Sequence, residues 1–186
     1  MRIISGQWRS RPIKAPKGDI TRPTADRTRE TLFSMLTSRL GSFEDLSVLD
    51  LFAGSGALGL EALSRGAAKC MFVEQDRAAL DALDNNIAVL GAKSVCEVRR
   101  SSVMSMGSAI TPFDVILIDP PYGSGAGVVA LDKLNRLGWI APSTWISIET
   151  GINETIEVAG FATENVRNVG KARLHILVPQ EHIQAG

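Results

Sequence analysis

Residues 48–59 read Val48-Leu49-Asp50-Leu51-Phe52-Ala53-Gly54-Ser55-Gly56-Ala57-Leu58-Gly59, and this stretch decides the fold. A β-rich run leads through a glycine turn into a segment with the pattern of a helix. Gly54, Gly56 and Gly59 have the GxGxxG spacing, which brings backbone amides against a ligand at a helix N-terminus. The stretch therefore predicts a cofactor loop in an α/β sheet, and NAD enzymes use the same spacing.

Short β-rich runs alternate with helical patterns from Leu46 onward, which is typical of a parallel sheet with helices on both faces. We predict strands at 47–51, 70–74, 95–99, 114–118 and 144–149, and helices at 57–65, 77–90 and 127–137, with a short helix after Ser102. The alternation stops at two strand-like runs, 162–169 and 172–178, which only Gly170-Lys171 separates. Strands joined by so short a turn must be antiparallel.

The N-terminal segment is basic, although the net charge of the whole chain is zero. Residues 1–39 hold nine Lys or Arg and three Asp or Glu, whereas the remainder holds 11 bases and 17 acids. We predict a short hairpin over 1–15 around Trp8-Arg9-Ser10, and a helix over 26–40 with Thr24 or Asp26 as N-cap and Gly41 as its stop. A basic extension of this kind favours contact with a polyanion, because phosphate neutralisation supplies most sequence-independent affinity for nucleic acid.

Asp50 and Glu74 indicate which cofactor the glycine loop binds. Asp50 ends the first strand, where a carboxylate would repel a dinucleotide pyrophosphate but would suit a cationic ligand such as S-adenosylmethionine. Glu74 ends the second strand, about 20 residues after the loop, where an acid can accept both ribose hydroxyls of either cofactor. Asp76, just after it, fits an N-cap better than a ligand. S-adenosylmethionine is therefore the favoured cofactor.

The third strand delivers Ser101-Ser102-Val103 to the same sheet edge. A hydroxyl or amide there can meet the adenine and Val103 can cover it, although a helix cap at Ser101 or Ser102 is an equal alternative. The candidate cofactor residues are Asp50, Phe52, Ala53, Gly54, Ser55, Gly56, Glu74, Gln75, Ser102, Val103 and Asp119.

The strongest motif is Asp119-Pro120-Pro121-Tyr122, which follows the apolar run 114–118. Two prolines end strand pairing and hold the backbone rigid. An exocyclic amine of a nucleobase is a poor nucleophile until acceptors draw its N–H groups out of the ring plane. The Asp119 carboxylate and the Pro120 carbonyl are suited to that task, and Tyr122 offers a face for an unstacked base. We therefore take Asp119, Pro120, Pro121 and Tyr122 as the catalytic candidates for methyl transfer, which then depends on alignment rather than on a metal or a covalent intermediate.

These features together predict an α/β fold of class I S-adenosylmethionine-dependent methyltransferase type. Its Rossmann-like sheet would be parallel with a C-terminal antiparallel hairpin, plus the small N-terminal hairpin and helix. We expect a single domain over 1–186, in which 1–41 form the basic extension for RNA contact and 46–186 the catalytic core. The candidate RNA contacts are Arg9, Arg11, Lys14, Arg22, Arg27 and Arg29. One of the last three could instead pair with Glu30 or Asp26 and hold the arm over the pocket.

Composition excludes several other classes. The chain is 45% hydrophobic and 22% charged, as in ordinary soluble domains, and its apolar runs are far shorter than the roughly 20 residues that span a bilayer. The start of the chain leads into no secretory segment. Cys70 and Cys96 lie in strand-like runs without a CxxC pair or a His cluster, which indicates reduced core thiols and no metal site. We expect a cytoplasmic monomer.

Three further stretches narrow the match: 1–9, beginning Met1-Arg2-Ile3-Ile4-Ser5-Gly6, then 22–33, containing Arg22-Pro23-Thr24-Ala25-Asp26-Arg27, and 52–66. With the tetrad, they make the chain resemble the bacterial RsmD family over nearly its full length, including Gly170-Lys171-Ala172-Arg173-Leu174. The resemblance implies S-adenosylmethionine as methyl donor, the N2 of one guanine in 16S rRNA as acceptor, and a small ribosomal subunit or assembly intermediate as partner.

The residues themselves leave other acceptors open. Related tetrads serve adenine N6, cytosine N4 and protein glutamine, and Asp119 does not exclude them. A dinucleotide-binding oxidoreductase fits the glycine spacing but leaves the tetrad and the terminal hairpin unexplained. A catalytically silent RNA-binding module would leave the cofactor loop without a purpose.

Overall fold

The computed structural model describes residues 1–15 and 23–181, and a seven-stranded sheet forms its centre. The strand order is β3-β2-β1-β4-β5-β7-β6. The strands are β1 (Ser47–Leu51), β2 (Lys69–Glu74), β3 (Cys96–Arg100), β4 (Phe113–Ile118), β5 (Ile140–Gly151), β6 (Phe161–Val169) and β7 (Ala172–Pro179). Strands β1 to β5 pair in parallel, and β7 lies antiparallel between β5 and β6. The predicted parallel sheet with a C-terminal antiparallel hairpin is confirmed.

Four α-helices cover the sheet: α1 (Pro23–Leu40), α2 (Ala57–Ser64), α3 (Arg77–Leu90) and α4 (Ala126–Arg136). Buried residues of α1, α2 and α3 share one apolar cluster with Val48, Val115 and Leu117 of the sheet. Buried residues of α4 share the cluster on the opposite face with Leu49, Ile116 and other alternate strand residues. Because strand side chains alternate between faces, the helices before and after β4 pack on opposite sides.

Local signals account for most helix boundaries. Asp76 caps α3 by accepting from Ala79 N at 2.8 Å, as predicted, and Gly91 ends it at φ 69°. The helix expected after Ser102 is a 3-10 turn, Val103–Ser105. The N-cap predicted for α1 is wrong, since α1 begins at Pro23 and Asp26 lies inside its first turn.

The N-terminal hairpin is present and is tied to α2. Ile3 N donates to Arg11 O at 3.0 Å and Ser10 N to Ile3 O at 2.9 Å. Gln7 N donates to Ser64 O at 2.8 Å, and a Cβ on Gly6 would lie 1.8 Å from that same oxygen. Only glycine therefore allows the hairpin to lie this close to the end of α2. Among residues 1–15 and 23–181, no helix is both long and apolar enough to span a membrane.

Candidate active site

A cavity of ≈ 690 Å³ lies at the carboxyl ends of the central strands. The glycine loop, the tetrad, α1 and the turn between β6 and β7 all contribute to its wall. Of the predicted site residues, it brings together Asp50, Phe52, Ala53, Gly54, Ser55, Asp119, Tyr122 and Arg29. The cofactor loop and the catalytic candidates thus share one chamber.

Asp50 is a buried acidic residue of this cavity. It is 1% exposed, and its Oδ2 accepts from Gly59 N at 2.8 Å. Its other oxygen, Oδ1, is buried and has no hydrogen-bond partner among the described residues. Burial raises the pKa of Asp50 to about 8, an effect that the Gly59 amide opposes and that Glu74 reinforces. A buried acceptor without a donor is costly, so this oxygen suits a cationic or N–H group of a ligand.

The glycine loop has its shape for two separate reasons. Gly56 has φ 81°, and a Cβ there would lie 2.3 Å from Leu83 Cδ1. Gly59 lets α2 approach β2, because a Cβ there would lie 2.4 Å from Phe72 Cε1. Phe52 is a non-glycine residue at φ 57°, an unfavourable conformation that typically costs about 1 kcal/mol or more. This backbone strain lies at the wall of the cavity.

Glu74 forms hydrogen bonds with the glycine loop and is not part of the cavity wall. Its Oε2 accepts from Gly54 N at 2.8 Å, and its Oε1 accepts from the amides of Gln75 and Asp76, each at 2.8 Å. Neither Glu74 nor Gln75 lines the cavity. The carboxylate therefore connects the glycine loop to the start of α3, and a ribose contact remains a prediction.

Ser102 is the cap of the 3-10 turn after β3, since its Oγ accepts from Met104 N at 3.1 Å. Val103 is 4% exposed and packs in the apolar cluster on the α4 face of the sheet. Neither residue lines the cavity. The cap alternative holds for Ser102, and the adenine contacts stay predictions.

The tetrad turns the chain from β4 into the cavity. Asp119 and Tyr122 line it, while Pro120 is buried and Pro121 is exposed. The turn continues rigidly, because Gly123 N donates to Glu154 Oε1 at 3.0 Å and Ser124 Oγ donates to Pro121 O at 2.6 Å. Asp119 and Tyr122 are consequently presented from a fixed loop.

Glu149 of β5 is a cavity residue that the sequence analysis missed. The Tyr122 hydroxyl donates to Glu149 Oε1. Burial is the main cause that raises the pKa of Glu149, and burial followed by that hydrogen bond raises the pKa of Tyr122. In the sequence, Glu149 is one polar residue near the end of a strand, and only the register of β5 against β4 could have brought it to notice.

Arg29 differs most from its predicted role as a phosphate contact. It is 4% exposed, and its guanidinium donates to Arg2 O and, at 3.0 Å, to Asp26 Oδ1. Glu61 of α2, which is 0% exposed, lies 3.7 Å from Arg29 Nε and accepts from Arg65 Nε at 2.9 Å. Burial is the main cause that lowers the pKa of Arg29. The pairing with Asp26, weighed as the alternative, is the one observed.

The remaining basic candidates that the structure describes lie outside the cavity. Arg9, Arg11, Lys14 and Arg27 are exposed. Arg11 donates to Val89 O at 2.6 Å and Lys14 Nζ to Asn85 Oδ1 at 3.1 Å, so both lie beside α3. Arg22 lies outside the described residues.

Several uncharged residues complete the cavity wall and were not predicted. They are Met1, Ala25, Thr28, Leu32, Ala57, Leu58, Val169, Gly170 and Ala172, together with the charged Lys171. Four segments that are distant in the sequence supply them, so no single motif marks them as one site. The N-terminal helix is therefore part of the cavity wall as well as of the basic surface.

Comparison with known proteins gives one family and close relatives. The family model described as "Conserved hypothetical protein 95" matches residues 1–178. The "Ribosomal RNA small subunit methyltransferase D" of Escherichia coli (strain K12) is 40% identical over 152 residues, which are 82% of this chain and 75% of that protein. The protein of the same name from Haemophilus influenzae is 35% identical over 158 residues, 81% of this chain and 78% of that one.

A solved structure has the same architecture. The protein yhhF from Escherichia coli superimposes with a TM-score of 0.85 at 36% sequence identity. The alignment covers 97% of this chain and 98% of that one. The two chains therefore share one fold over nearly their whole lengths.

Proposed function

The chain belongs to the RsmD family of methyltransferases, and from that premise we propose that it transfers a methyl group from S-adenosylmethionine to the exocyclic N2 of a guanine in 16S rRNA of the small ribosomal subunit. One observation carries the proposal. The Asp119 tetrad opens into the same ≈ 690 Å³ cavity as the glycine loop and Asp50, whose Oδ1 has no hydrogen-bond partner among residues 1–15 and 23–181. A methyl donor and an amino acceptor can therefore meet in one chamber.

The cofactor side of the cavity fits S-adenosylmethionine. Its ammonium and sulfonium are cationic, which matches a buried carboxylate with a free acceptor at Asp50. Gly54, Ser55 and Ala53 offer backbone groups at the cavity wall for the amino-acid end. When bound, the cofactor supplies an electrophilic methyl group with a neutral thioether as leaving group.

The acceptor side fits an aromatic amine. Asp119 accepts an N–H of the base amine and the Pro120 carbonyl accepts the second, which restores the lone pair of nitrogen as a nucleophile. The ring of Tyr122, which is 51% exposed, offers a stacking face to a base that has left its helix. Catalysis then comes mainly from alignment, because the protein only has to hold nitrogen, methyl carbon and sulfur in line.

The RNA is held by the basic extension. Arg9, Arg11, Lys14 and Arg27 are exposed and can reach phosphates, and Arg29 is withdrawn from this set because it is buried. The relatives from E. coli and H. influenzae are named for ribosomal RNA of the small subunit, which supports the choice of substrate. We propose one domain over 1–186 that acts as a cytoplasmic monomer, with 1–41 as the RNA extension and 46–186 as the catalytic core.

The experiment uses small ribosomal subunits from a strain that lacks this protein. They are incubated with radiolabelled S-adenosylmethionine and the full chain, and the RNA is digested to nucleosides. Label in N2-methylguanosine that disappears with Asp119→Ala supports the proposal, provided that the variant still binds the cofactor. Label in N6-methyladenosine or N4-methylcytidine would keep the enzyme class and reject the guanine assignment.

A further inference from the structure

Asp119, which directly follows β4, and Glu149 of β5 lie at matching positions of neighbouring strands. Ile118 of β4 and Ile148 of β5 are partners in the parallel register, so the next residue on each strand is Asp119 and Glu149. Adjacent strands lie about 4.8 Å apart, and residues at equal register point to the same face. Both residues line the cavity. Two carboxylates are thus presented side by side to the base that enters it.

The pair differs from a solvated acidic cluster because each member is fixed. Asp119 follows the strand as the first residue of a proline-rigid turn, and Glu149 lies within β5 and accepts from Tyr122. Tyr122 engages only Oε1, and a carboxylate has a second oxygen that can accept from a further donor. Glu149 can therefore hold the stacking tyrosine and contact a base at the same time.

Guanine differs from the other bases in the edge that it would turn toward these carboxylates. Its N1–H and its N2 amino group are neighbouring donors, whereas adenine has an acceptor at N1 beside its amino group. An ionised carboxylate accepts hydrogen bonds and donates none, so it attracts the guanine N1–H and repels the lone pair of adenine N1. A site built around a specific hydrogen bond rejects an analogue that lacks it far more strongly than a merely apolar pocket does.

We propose that Glu149 selects guanine by accepting a hydrogen bond from its N1–H, while Asp119 accepts a hydrogen bond from the N2 amine that is methylated. The inference rests on the proposed function, since it names the residue that chooses the base within the same cavity. Tyr122 stacks on the guanine ring, and Glu149 fixes the Tyr122 side chain through its hydroxyl. Base identity is then decided beside the reactive nitrogen rather than by the basic extension.

The test replaces the target guanine by 2,6-diaminopurine, which keeps the 2-amino group and turns N1 into an acceptor. Small subunits are reconstituted from RNA that carries either base at the position methylated by the wild-type enzyme. We expect the wild type to prefer guanine by about 100-fold or more in kcat/KM. With Glu149→Gln the guanine rate should fall and the preference should shrink to about threefold or less, since the amide can donate to N1 of the analogue.

Two controls separate the possible outcomes. Tyr122→Phe removes the hydroxyl but keeps the ring and Glu149, so it should retain the preference for guanine. Cofactor binding to each variant, measured directly, shows that the fold is intact. An undiminished preference in Glu149→Gln, or an equal loss of preference in Tyr122→Phe, would overturn the role of Glu149 and leave the proposed function standing. A wild type that places no label in N2-methylguanosine would overturn both.

Discussion

The side chain of Asn86 on α3 forms hydrogen bonds with both the backbone amide and the backbone carbonyl of Lys14. Its Oδ1 accepts from Lys14 N at 2.7 Å and its Nδ2 donates to Lys14 O at 2.9 Å. The same Nδ2 donates to Ser55 O at 3.0 Å, and Asn86 is 1% exposed. A single buried amide therefore joins the N-terminal hairpin to the glycine loop.

Asn86→Ala should destabilise the protein by about 1–3 kcal/mol, because it removes the partners of the part-buried Lys14 amide and carbonyl and of the buried Ser55 carbonyl. Urea denaturation measures this loss. Cofactor affinity should fall as well, since Ser55 is at the cavity wall. Asn85→Ala is the matched control, because Asn85 accepts an exposed hydrogen bond from the Lys14 ammonium. Equal losses of stability in the two variants would contradict this structural role of the Asn86 side chain.

Asp50 should make the cofactor-free protein less stable as the pH rises. Its pKa is about 8 when folded and near 3.8 in its ordinary state, so between these values the folded protein holds a proton that the unfolded chain has released. Stability contributed by this site therefore falls from about pH 4 to about pH 8. Asp50→Asn should remove the effect, so its melting temperature relative to wild type should be higher at pH 8 than at pH 5. A constant difference between the two proteins across this range would refute the assignment.

A cationic ligand beside Asp50 should reverse that protonation. Binding of S-adenosylmethionine near pH 6 should release a proton from Asp50, because the ligand stabilises the carboxylate. Calorimetric titration in two buffers of different ionisation enthalpy measures the release. Asp50→Asn serves as the reference for protons that the ligand itself releases. This variant should also bind S-adenosylmethionine more weakly than the wild type does. Identical proton release in both proteins would show that Asp50 does not face the cationic groups.

Glu61→Gln should be among the most destabilising single changes in α2. The carboxylate accepts from the amides of Ile4 and Ser5 and faces the guanidinium groups of Arg29 and Arg65. Removing one partner from buried ion pairs costs about 3–5 kcal/mol. Asp132→Asn, which breaks an exposed pair with Arg136, should cost less than about 1 kcal/mol. The denaturant midpoints of the two variants show whether the buried ion pairs contribute more to stability than the exposed pair does.

Neutralising the hairpin should flatten the salt dependence of RNA binding. The triple change Arg9→Gln, Arg11→Gln and Lys14→Gln should lower the slope of log affinity against log salt by about 0.7–0.9 for each phosphate that the hairpin no longer neutralises. Cofactor affinity should remain unchanged, since none of the three side chains lines the cavity. Arg136→Gln on α4 is the control of equal charge type. A slope like that of the intact protein would exclude the hairpin from the RNA surface.

The sequence was sufficient to predict the helices, the strands and their order. The period of the apolar residues and the positions of the capping and turn residues indicate the same boundaries. Helix α3 was predicted at its observed bounds, since Asp76 and Gly91 mark both ends. The antiparallel pairing of β6 with β7 followed from the short turn at Gly170-Lys171. Asp50, Asp119 and Tyr122 were found because their motifs are contiguous in the chain.

Residues whose role depends on distant partners could not be predicted. Arg29 has the sequence context of a surface cation, and its burial depends on Glu61, 32 positions later on another helix. Glu149 acquires its neighbours only when β5 pairs with β4. Glu74 carries the expected acid at the expected strand end, yet three backbone amides, which sequence patterns do not display, occupy its oxygens.

Strand β7 has a consequence for the order in which the molecule can be completed during synthesis. It is translated after β5 and β6 but lies between them, so neither of those strands can have its final neighbour while β7 is still inside the ribosome. Gly170, Lys171 and Ala172, at the turn that enters β7, also form part of the cavity wall. A nascent chain that has already made its glycine loop and tetrad therefore still has an open chamber. The enzyme becomes able to enclose a substrate only after nearly all of the described chain has been released.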